Sequence, residues 1–291
     1  MANEIGNTEL SATKQELISE RAQRALIAES VFAPTFTDYS SRAVKGASQI
    51  SIPKNSGLFT VENRASATAG TNQSLAFGKD TMDLNVRAHI QWVVDTDDEI
   101  ESTLDVQMEL VDRAAREHAK DFDVRAIAVM EAAAIEATGV TAPDQAGVLE
   151  MRKILLRNKA DRSRLFLAIS PDDEATMLAI DPFVGADKYG AAIIPQGVLG
   201  TIYGVNVVVT PSLAGGEFFM YESAGMAYAL QRGPAFDEAP KPEFGVNAKL
   251  QVLAQKYGQK ALQIGVPGAT LADGSTAITT QSALIVKDAN A

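Results

Sequence analysis

The feature of this sequence that most constrains its fold is a long, strict alternation of apolar and other side chains. From Met82 to Val94 every second residue is apolar, and Asp, Asn, Arg, His and Gln fill most of the positions between them. A period of two places successive side chains on opposite faces of a β-strand. The stretch therefore predicts one long strand with a half-buried face.

We expect this strand to be the return arm of a β-hairpin that starts near Ile50. The small, polar run from Ser66 to Ser74, SATAGTNQS, is typical of a turn at the tip of such a hairpin. Arms of this length would reach on the order of 50 Å at about 3.3 Å per residue. Because two isolated strands are only marginally stable in water, the hairpin is expected to lie on another surface.

The first part of the chain predicts a helix that also needs a surface to pack on. The stretch from Ser11 to Ser30 has a narrow apolar stripe among charged residues, which is typical of an amphipathic helix packed on a partner. The stripe consists of Ile18, Ala22, Ala25 and Leu26. The chain that follows, to about residue 47, has turn residues and no clear period, which predicts an extended arm.

Aromatic residues in this arm admit two interpretations. Phe32, Phe36 and Tyr39 could form a stacking platform for nucleic acid, since aromatic groups interleaved with basic ones do so. Only Arg42 and Lys45 accompany them, however. Docking of the arm on a neighbouring copy of the chain is the interpretation we favour.

The longest helical pattern in the sequence follows the hairpin. Thr96 is a predicted N-cap, and carboxylates in the next positions suit the positive end of a helix dipole. Apolar residues then recur at helical spacing to about Glu136, and Gly139 is predicted to end the helix.

The remaining sequence mixes helix and strand signals. Asp144 is predicted to cap a helix to about Asn158, and Ser170 followed by Pro171 is a helix-start signal. Predicted strands cover residues 164–169, 218–222, 227–231 and 249–257, with a late apolar patch at 283–286. This mixture predicts an α+β fold, and 291 residues suffice for one elaborate domain or two modest ones.

The stretch QGVLGTIYGVNVVVTPSL, from Gln196 to Leu213, raises the question of a phosphate-binding loop. Its glycines, Gly197, Gly200 and Gly204, match neither the dinucleotide spacing nor the P-loop, which also needs a lysine. A strand rather than a helix follows them, so no helix N-terminus is available for a phosphate. We predict a tight turn that shapes the fold.

Other signals for chemistry are weak. The chain has no cysteine and two histidines, His89 and His118, which lie far apart in different predicted elements. The acidic run at 95–99 lacks the spacing of an EF-hand loop, and Ser223 has only half of a nucleophile-elbow pattern. We therefore expect no catalytic, cofactor-binding or metal-binding residues, and no enzyme activity.

The charge of the chain limits its partners. A formal net charge of −11 argues against a general nucleic-acid-binding surface, because phosphate contacts depend on Lys and Arg. No run of about 18 apolar residues is present, so no membrane span is expected.

The order of these parts resembles the major capsid proteins of tailed phages, which have the Hong Kong 97-type fold. Four stretches carry the resemblance: QWVVDTDDEIESTLDVQMELVDRAAREHAKDFD, RLFLAISPDDEATML, GVLGTIYGVNVVVTPSL and AKLQVLAQKYGQKAL. The resemblance implies an N-terminal arm at 1–47 and an extended loop at 48–94. It also implies a peripheral domain with a spine helix at 95–137 and 236–262, and an axial domain with the C-terminal tail at 138–235 and 263–291.

The resemblance implies a structural function in a virion capsid. Copies would assemble in the host cytoplasm as hexamers and pentamers of an icosahedral shell that encloses double-stranded DNA and contacts it only weakly. Its implied partners are a portal protein and a decoration or cement protein. About ten residues precede the arm helix, so we expect any scaffold protein to be separate.

Some capsid proteins of this type form Lys–Asn cross-links, for which Lys54, Lys79, Asn247 and Glu243 are the residues to consider. The arm and the hairpin are both expected to need sister copies to cover them. The alternatives are an encapsulin-type shell around an enzyme cargo and a nucleotide-using enzyme.

Overall fold

The computed structural model describes residues 7–55, 77–94, 106–178, 198–244, 248–262 and 284–289. Its α-helices are α1 (Asn7–Glu29), α2 (Val106–Ala133), α3 (Gln145–Arg157) and α4 (Glu174–Leu178). The first strands are β1 (Thr37–Asp38), β2 (Gln49–Asn55), β3 (Phe77–Asp83), β4 (Val86–Val94), β5 (Ile135–Glu136) and β6 (Leu165–Ile169). They are followed by β7 (Val198–Ile202), β8 (Val205–Val209), β9 (Phe219–Glu222), β10 (Met226–Pro240), β11 (Lys249–Ala261) and β12 (Ile285–Lys287).

The described strands form three sheets. One has four strands in the order β1-β10-β11-β4, and a second has six in the order β5-β12-β9-β6-β8-β7. The third is the pair β2-β3, which we call the ribbon. Parallel and antiparallel pairs occur together in both larger sheets, which is common in folds of the predicted α+β class.

The longest described helix, α2, packs on one face of the four-stranded sheet. Its residues Phe122, Ala126 and Met130 are fully buried in a core shared with Tyr228 and Tyr257 of that sheet. A separate core lies between α3 and the six-stranded sheet, and it includes Val148, Met151, Leu167, Val207 and Met220. The core beneath α2 also contains Phe219 and Tyr221 of the six-stranded sheet, so this sheet is packed on both faces, by α3 on one and by the α2 core on the other.

The prediction of a single return arm from Met82 to Val94 is wrong in one respect: the arm is two strands. The chain leaves β3 at Asp83 and enters β4 at Val86, and the two strands have different partners. β3 pairs with β2 in the ribbon, whereas β4 pairs with β11 from Val86–Tyr257 to Val94–Lys249. The predicted tip at 66–74 lies outside the described residues.

The prediction that the N-terminal helix packs on a sister copy is also wrong. Helix α1 buries Ile18 and Ala22 against Val111 of α2 and against Phe236 and Leu253 of the four-stranded sheet. Its apolar stripe is therefore covered by the body of its own chain. The sequence shows that such a stripe needs a surface, but it does not say which molecule provides that surface.

The helix boundaries follow the local signals closely, with one exception. Helix α2 ends at Ala133 rather than near Glu136, because Ile135 and Glu136 form β5 beside β12. Thr96, the predicted N-cap, lies outside the described residues. The cap of α3 is confirmed, since the Asp144 carboxylate accepts a hydrogen bond of 2.7 Å from the Gly147 amide.

The later strands are confirmed in type, and two of them are longer than predicted. β10 and β11 run well beyond the predicted 227–231 and 249–257, and they form a long antiparallel pair with register shifts around Arg232. Pro171 opens a short 3-10 turn before α4. The Ser170 hydroxyl donates to the Asp173 carboxylate at 2.9 Å instead of accepting a backbone amide.

Candidate assembly surfaces

The base of the ribbon is joined to the body by apolar packing. One buried apolar cluster contains side chains from both the ribbon side and the body. The ribbon side contributes Ile50, Ile52, Met82 and Leu84, and the body contributes Ala227, Ala229 and Leu262. The Leu84 amide also donates to the Ser48 carbonyl oxygen at 2.9 Å. These contacts fix the place at which the ribbon leaves the body.

One lysine adds a polar link at the same place. The Lys260 ammonium group lies 2.9 Å from a carboxylate oxygen of Asp80 and donates to the Thr81 carbonyl oxygen at 2.6 Å. Asp80 is only 6% exposed. Nearby, a Cβ atom on Gly258 would lie 2.1 Å from the Asp83 carbonyl oxygen, so only glycine fits this approach of ribbon and body.

A buried carboxylate joins the end of α1 to the middle of α2. The Asp123 side chain accepts hydrogen bonds from the Ser30 hydroxyl at 2.6 Å, the Val31 amide at 3.0 Å and the Phe32 amide at 3.3 Å. These donors favour the ionised form, but the burial of the group outweighs them and raises the pKa of Asp123. Asp123 thus positions the turn that follows the N-terminal helix.

The aromatic residues of the arm lie inside the molecule. Phe32 and Phe36 stack on each other at 5.6 Å between ring centroids, and both contact the ring of Tyr221 in the six-stranded sheet. The hydroxyl groups of Tyr221 and Thr35 lie 2.8 Å apart, and burial raises the pKa of Tyr221. Neither nucleic-acid stacking nor docking on a neighbour describes these two phenylalanines, so both interpretations are wrong for them.

This arm segment connects the two large sheets. Its strand β1 pairs in parallel with β10 of the four-stranded sheet, through Thr37–Ala227 and Asp38–Tyr228. A few residues earlier, Phe36 packs on Tyr221 of the other sheet. The segment therefore belongs to the protomer's own core.

The glycine-rich stretch is a hairpin turn, as predicted. β7 and β8 are antiparallel neighbours, and the two residues between them, Tyr203 and Gly204, have φ angles of 51° and 75°. Two successive positive φ values are those of a type I′ turn, which matches the twist of the flanking strands. Gly200, with φ of 113°, lies where the register shifts. The next element is a strand, and Gly197 lies outside the described residues.

The two histidines lie apart and have different environments. His118 is buried on α2, where its Nε2–H donates to the Leu253 carbonyl oxygen at 3.1 Å, and burial lowers the pKa of this imidazole. His89 is exposed on the polar face of β4, as predicted. Ser223 lies in a short 3-10 turn, where its carbonyl oxygen accepts from the Thr37 hydroxyl.

The described residues contain neither a cluster of metal ligands nor a helix that could span a membrane. Within the part of the chain that the structure describes, no three His, Asp or Glu residues cluster in a way that could hold a metal ion. None of the described helices has the length and apolar character needed to cross a membrane. The acidic run at 95–99 lies outside the described residues.

The link at Asp123 has a signal in the sequence that the prediction of the elements does not include. On α2 the buried positions Ala119, Phe122, Ala126 and Met130 form an apolar face, and Asp123 lies within it. A carboxylate on the apolar face of a helix needs donors from elsewhere in the fold. The Lys260–Asp80 link has no such signal, because both residues lie in alternating strands where charges are ordinary.

Comparisons with known proteins find similarity in structure only. No family model matches the sequence, and no curated protein matches it. A solved chain of Mycobacterium phage Che8 superposes with a TM-score of 0.67 at 14% identity, over 89% of this chain and 91% of that one. A chain from the mature capsid of bacteriophage PhiM1 superposes with a TM-score of 0.61 at 13% identity, over 89% and 86%.

The chain has the Hong Kong 97-type capsid fold. This confirms the fold that the four sequence stretches predicted. The Hong Kong 97-type fold of this chain is also similar to that of a virus-like particle from Pyrococcus furiosus, with a TM-score of 0.60 at 8% identity, over 94% of this chain and 98% of that one.

Proposed function

We propose that this chain is the major capsid protein of a tailed double-stranded DNA phage. In this proposal, copies assemble as hexamers and pentamers into an icosahedral shell that encloses the genome. The observation that carries the proposal is the similarity to a chain from the mature capsid of bacteriophage PhiM1 over 89% of this chain, together with that to a chain of phage Che8 over the same share. The protein is proposed to be structural and to have no enzymatic role.

The proposed regions follow the resemblance: an N-terminal arm at 1–47, an extended loop at 48–94, a peripheral domain at 95–137 and 236–262, and an axial domain at 138–235 and 263–291. The ribbon is the element that supports contact between copies. It forms a sheet of its own, and among its described side chains the packing on the body lies at its base. A two-stranded sheet gains stability when a neighbour covers it, and many such contacts together build a shell.

The remaining partners follow from the same proposal. A shell of this kind works with a portal protein and, where they exist, with a separate scaffold protein and a decoration or cement protein. Packaged DNA is proposed to be contacted only weakly, which agrees with the net charge of −11. The place of action is the virion capsid, after assembly in the host cytoplasm.

A second candidate is the shell of an encapsulin-type nanocompartment. The similarity to the Pyrococcus furiosus virus-like particle, over 94% of this chain, supports it. The two candidates differ in content: a phage shell encloses DNA, and a nanocompartment encloses an enzyme. Genes for a terminase and a portal beside this one would favour the phage, whereas a peroxidase or ferritin gene would favour the nanocompartment.

Negative-stain electron microscopy of the expressed protein tests the proposal. We expect closed, hollow particles, either from the protein alone or on addition of a scaffold partner from the same genome. A monomer that persists at high concentration, with and without that partner, would contradict it. Boiled particles on a denaturing gel report cross-linking, since linked copies give a ladder and unlinked copies give one band.

A further inference from the structure

A pocket on the outer face of the four-stranded sheet is lined by positive charge. The outer face is the one opposite α2, and it carries the side chains of β4 that alternate with buried Val94 and half-buried Ile90 and Trp92. The pocket has a volume of about 540 Å³. Its lining includes Lys45, Arg87, Arg232 and Lys256, together with the imidazole of His89.

Three of these cations stand in one row across three strands. Arg87 of β4 is directly opposite Lys256 of β11, and Lys256 is directly opposite Arg232 of β10. Directly opposed residues in a sheet have Cβ atoms only about 5 Å apart, so like charges in this arrangement destabilise the sheet. The fold alone gives no reason for such a row.

The positive charge of this row is only partly compensated by acidic side chains of the same protomer. Arg232 pairs with Asp237 at 2.8 Å. Among the described residues, no ion pair is formed by Lys45, Arg87 or Lys256. No Asp or Glu lines the pocket, in a chain with 37 acidic and 26 basic residues. A concave, basic site in an acidic protein fits an anionic ligand.

We propose that this pocket binds the acidic run Asp95–Glu101, DTDDEIE, of a second copy of the chain. The proposal rests on the self-assembly proposed above. The run has five carboxylates in seven residues, and the chain has no denser run of acids. Its charge complements the four Lys and Arg side chains of the pocket, and opposite potentials on two copies fix their relative register.

The geometry favours another copy over the same chain. Val94, which precedes the run, is seven residues along β4 from Arg87, or about 23 Å at about 3.3 Å per residue. The element that follows the run, α2, packs on the opposite face of the sheet. The described residues on either side of the run, Val94 and those of α2, therefore lie away from the pocket of their own protomer.

The shape of the pocket favours a peptide over a DNA duplex. Carboxylate side chains on an extended peptide can enter a cavity of this size one at a time. The phosphates of a duplex are held on a stiff cylinder, so they would meet only the rim. The small residues Gly46, Ala88 and Ala254 in the lining leave room for the peptide.

Fluorescence anisotropy with a labelled peptide of residues 94–102, VDTDDEIES, tests the proposal on unassembled protein at about 50 mM salt, where screening is weak. We expect saturable binding to the wild-type protein, and binding about tenfold weaker to the double variant Arg87→Glu/Lys256→Glu. The control variant, Lys120→Glu/Arg162→Glu, has the same charge change at exposed sites outside the pocket and is expected to bind as the wild type does.

Two further arms complete the test. A peptide with Asn and Gln in place of its acids is expected not to bind, and a short DNA duplex is expected not to displace the acidic peptide. The proposal would be overturned if the two double variants bound the acidic peptide equally well. It would also be overturned if a duplex added at the same total negative charge displaced the peptide from the wild-type protein. Circular dichroism of each variant checks that it is folded.

The same samples separate this proposal from the proposed function. If the wild-type protein forms particles and the peptide does not bind, the pocket proposal fails and the capsid proposal stands. If the peptide binds and no particles form under any condition, the capsid proposal fails.

Discussion

At the scale of single residues, Asp123 makes the stability of the protomer depend on pH. Burial raises the pKa of this carboxyl above its ordinary value of 3.8. The folded protein therefore binds the proton more readily than the unfolded chain does. The resulting stabilisation is fully present below the ordinary pKa, and it is lost as the pH rises through the raised value.

The variant Asp123→Asn tests this linkage. At pH 7 we expect the free energy of unfolding of the variant to be lower than that of the wild type by about 1–3 kcal/mol. The reason is that an amide cannot accept hydrogen bonds from all three donors at Ser30, Val31 and Phe32. Between pH 7 and pH 4 the wild-type protein should gain stability relative to the variant. Thermal unfolding of both proteins across this range measures the difference. A difference that shrinks as the pH falls would contradict the raised pKa.

Structural features of single residues were predicted correctly where they depend on nearby residues in the chain. The cap at Asp144 and the turn at Tyr203–Gly204 depend on neighbours within four residues, and the sequence contains all of them. The roles of Asp123 and Lys260 depend on residues 91 or more positions away, such as Phe32 and Asp80. No short stretch of sequence specifies such partners.

At the scale of elements, α1 is part of the folded protomer. We expect Ile18→Ala to lower the free energy of unfolding by about 2–4 kcal/mol, because Ile18 is 1% exposed in the core between α1, α2 and β10. Leu17→Ala is the matched control, since Leu17 is 61% exposed and its loss should cost less than about 0.5 kcal/mol. Denaturant unfolding of the unassembled protein measures both values. If α1 were held only by neighbouring copies, Ile18→Ala would leave this measurement unchanged and lower only the yield of particles.

The division of the predicted return arm into β3 and β4 could not be read from the sequence. The alternation of Met82, Leu84 and Val86 continues through the break without a Pro or a Gly. What changes is the partner strand, from β2 to β11, and the choice of a partner is a property of the whole chain. The fold class and the order of elements were predictable, whereas the surfaces that cover them were not.

At the scale of the whole molecule, the link between Lys260 and Asp80 connects the proposed shell-forming ribbon to its body. We expect Lys260→Met to lower particle yield and to leave particles with altered diameters, because the ribbon would lose its polar link to β11. Lys249→Met is the matched control: it removes a lysine of the same strand, paired with Glu238 at 3.6 Å and distant from the ribbon. Electron microscopy of the two variants makes the comparison.

The unassembled protomer should be less stable in Lys260→Met by about 1–3 kcal/mol, since Asp80, which is 6% exposed, would lose its contact with the Lys260 ammonium group. The double variant Lys260→Met/Asp80→Asn should regain part of this loss. Normal particles from the single variant would show that the ribbon is positioned by its apolar base alone.

The two-residue connection between β3 and β4 has a mechanical consequence. Because only Leu84 and Asn85 lie between the two strands, the connection cannot lengthen much under load. Tension applied to the ribbon by a neighbour therefore reaches β4 directly. There the load is distributed over nine residue pairs with β11, from Val86–Tyr257 to Val94–Lys249. A shell built from such units would transmit strain from one copy into the central sheet of the next, and swelling would be resisted by backbone hydrogen bonds rather than by flexible tethers.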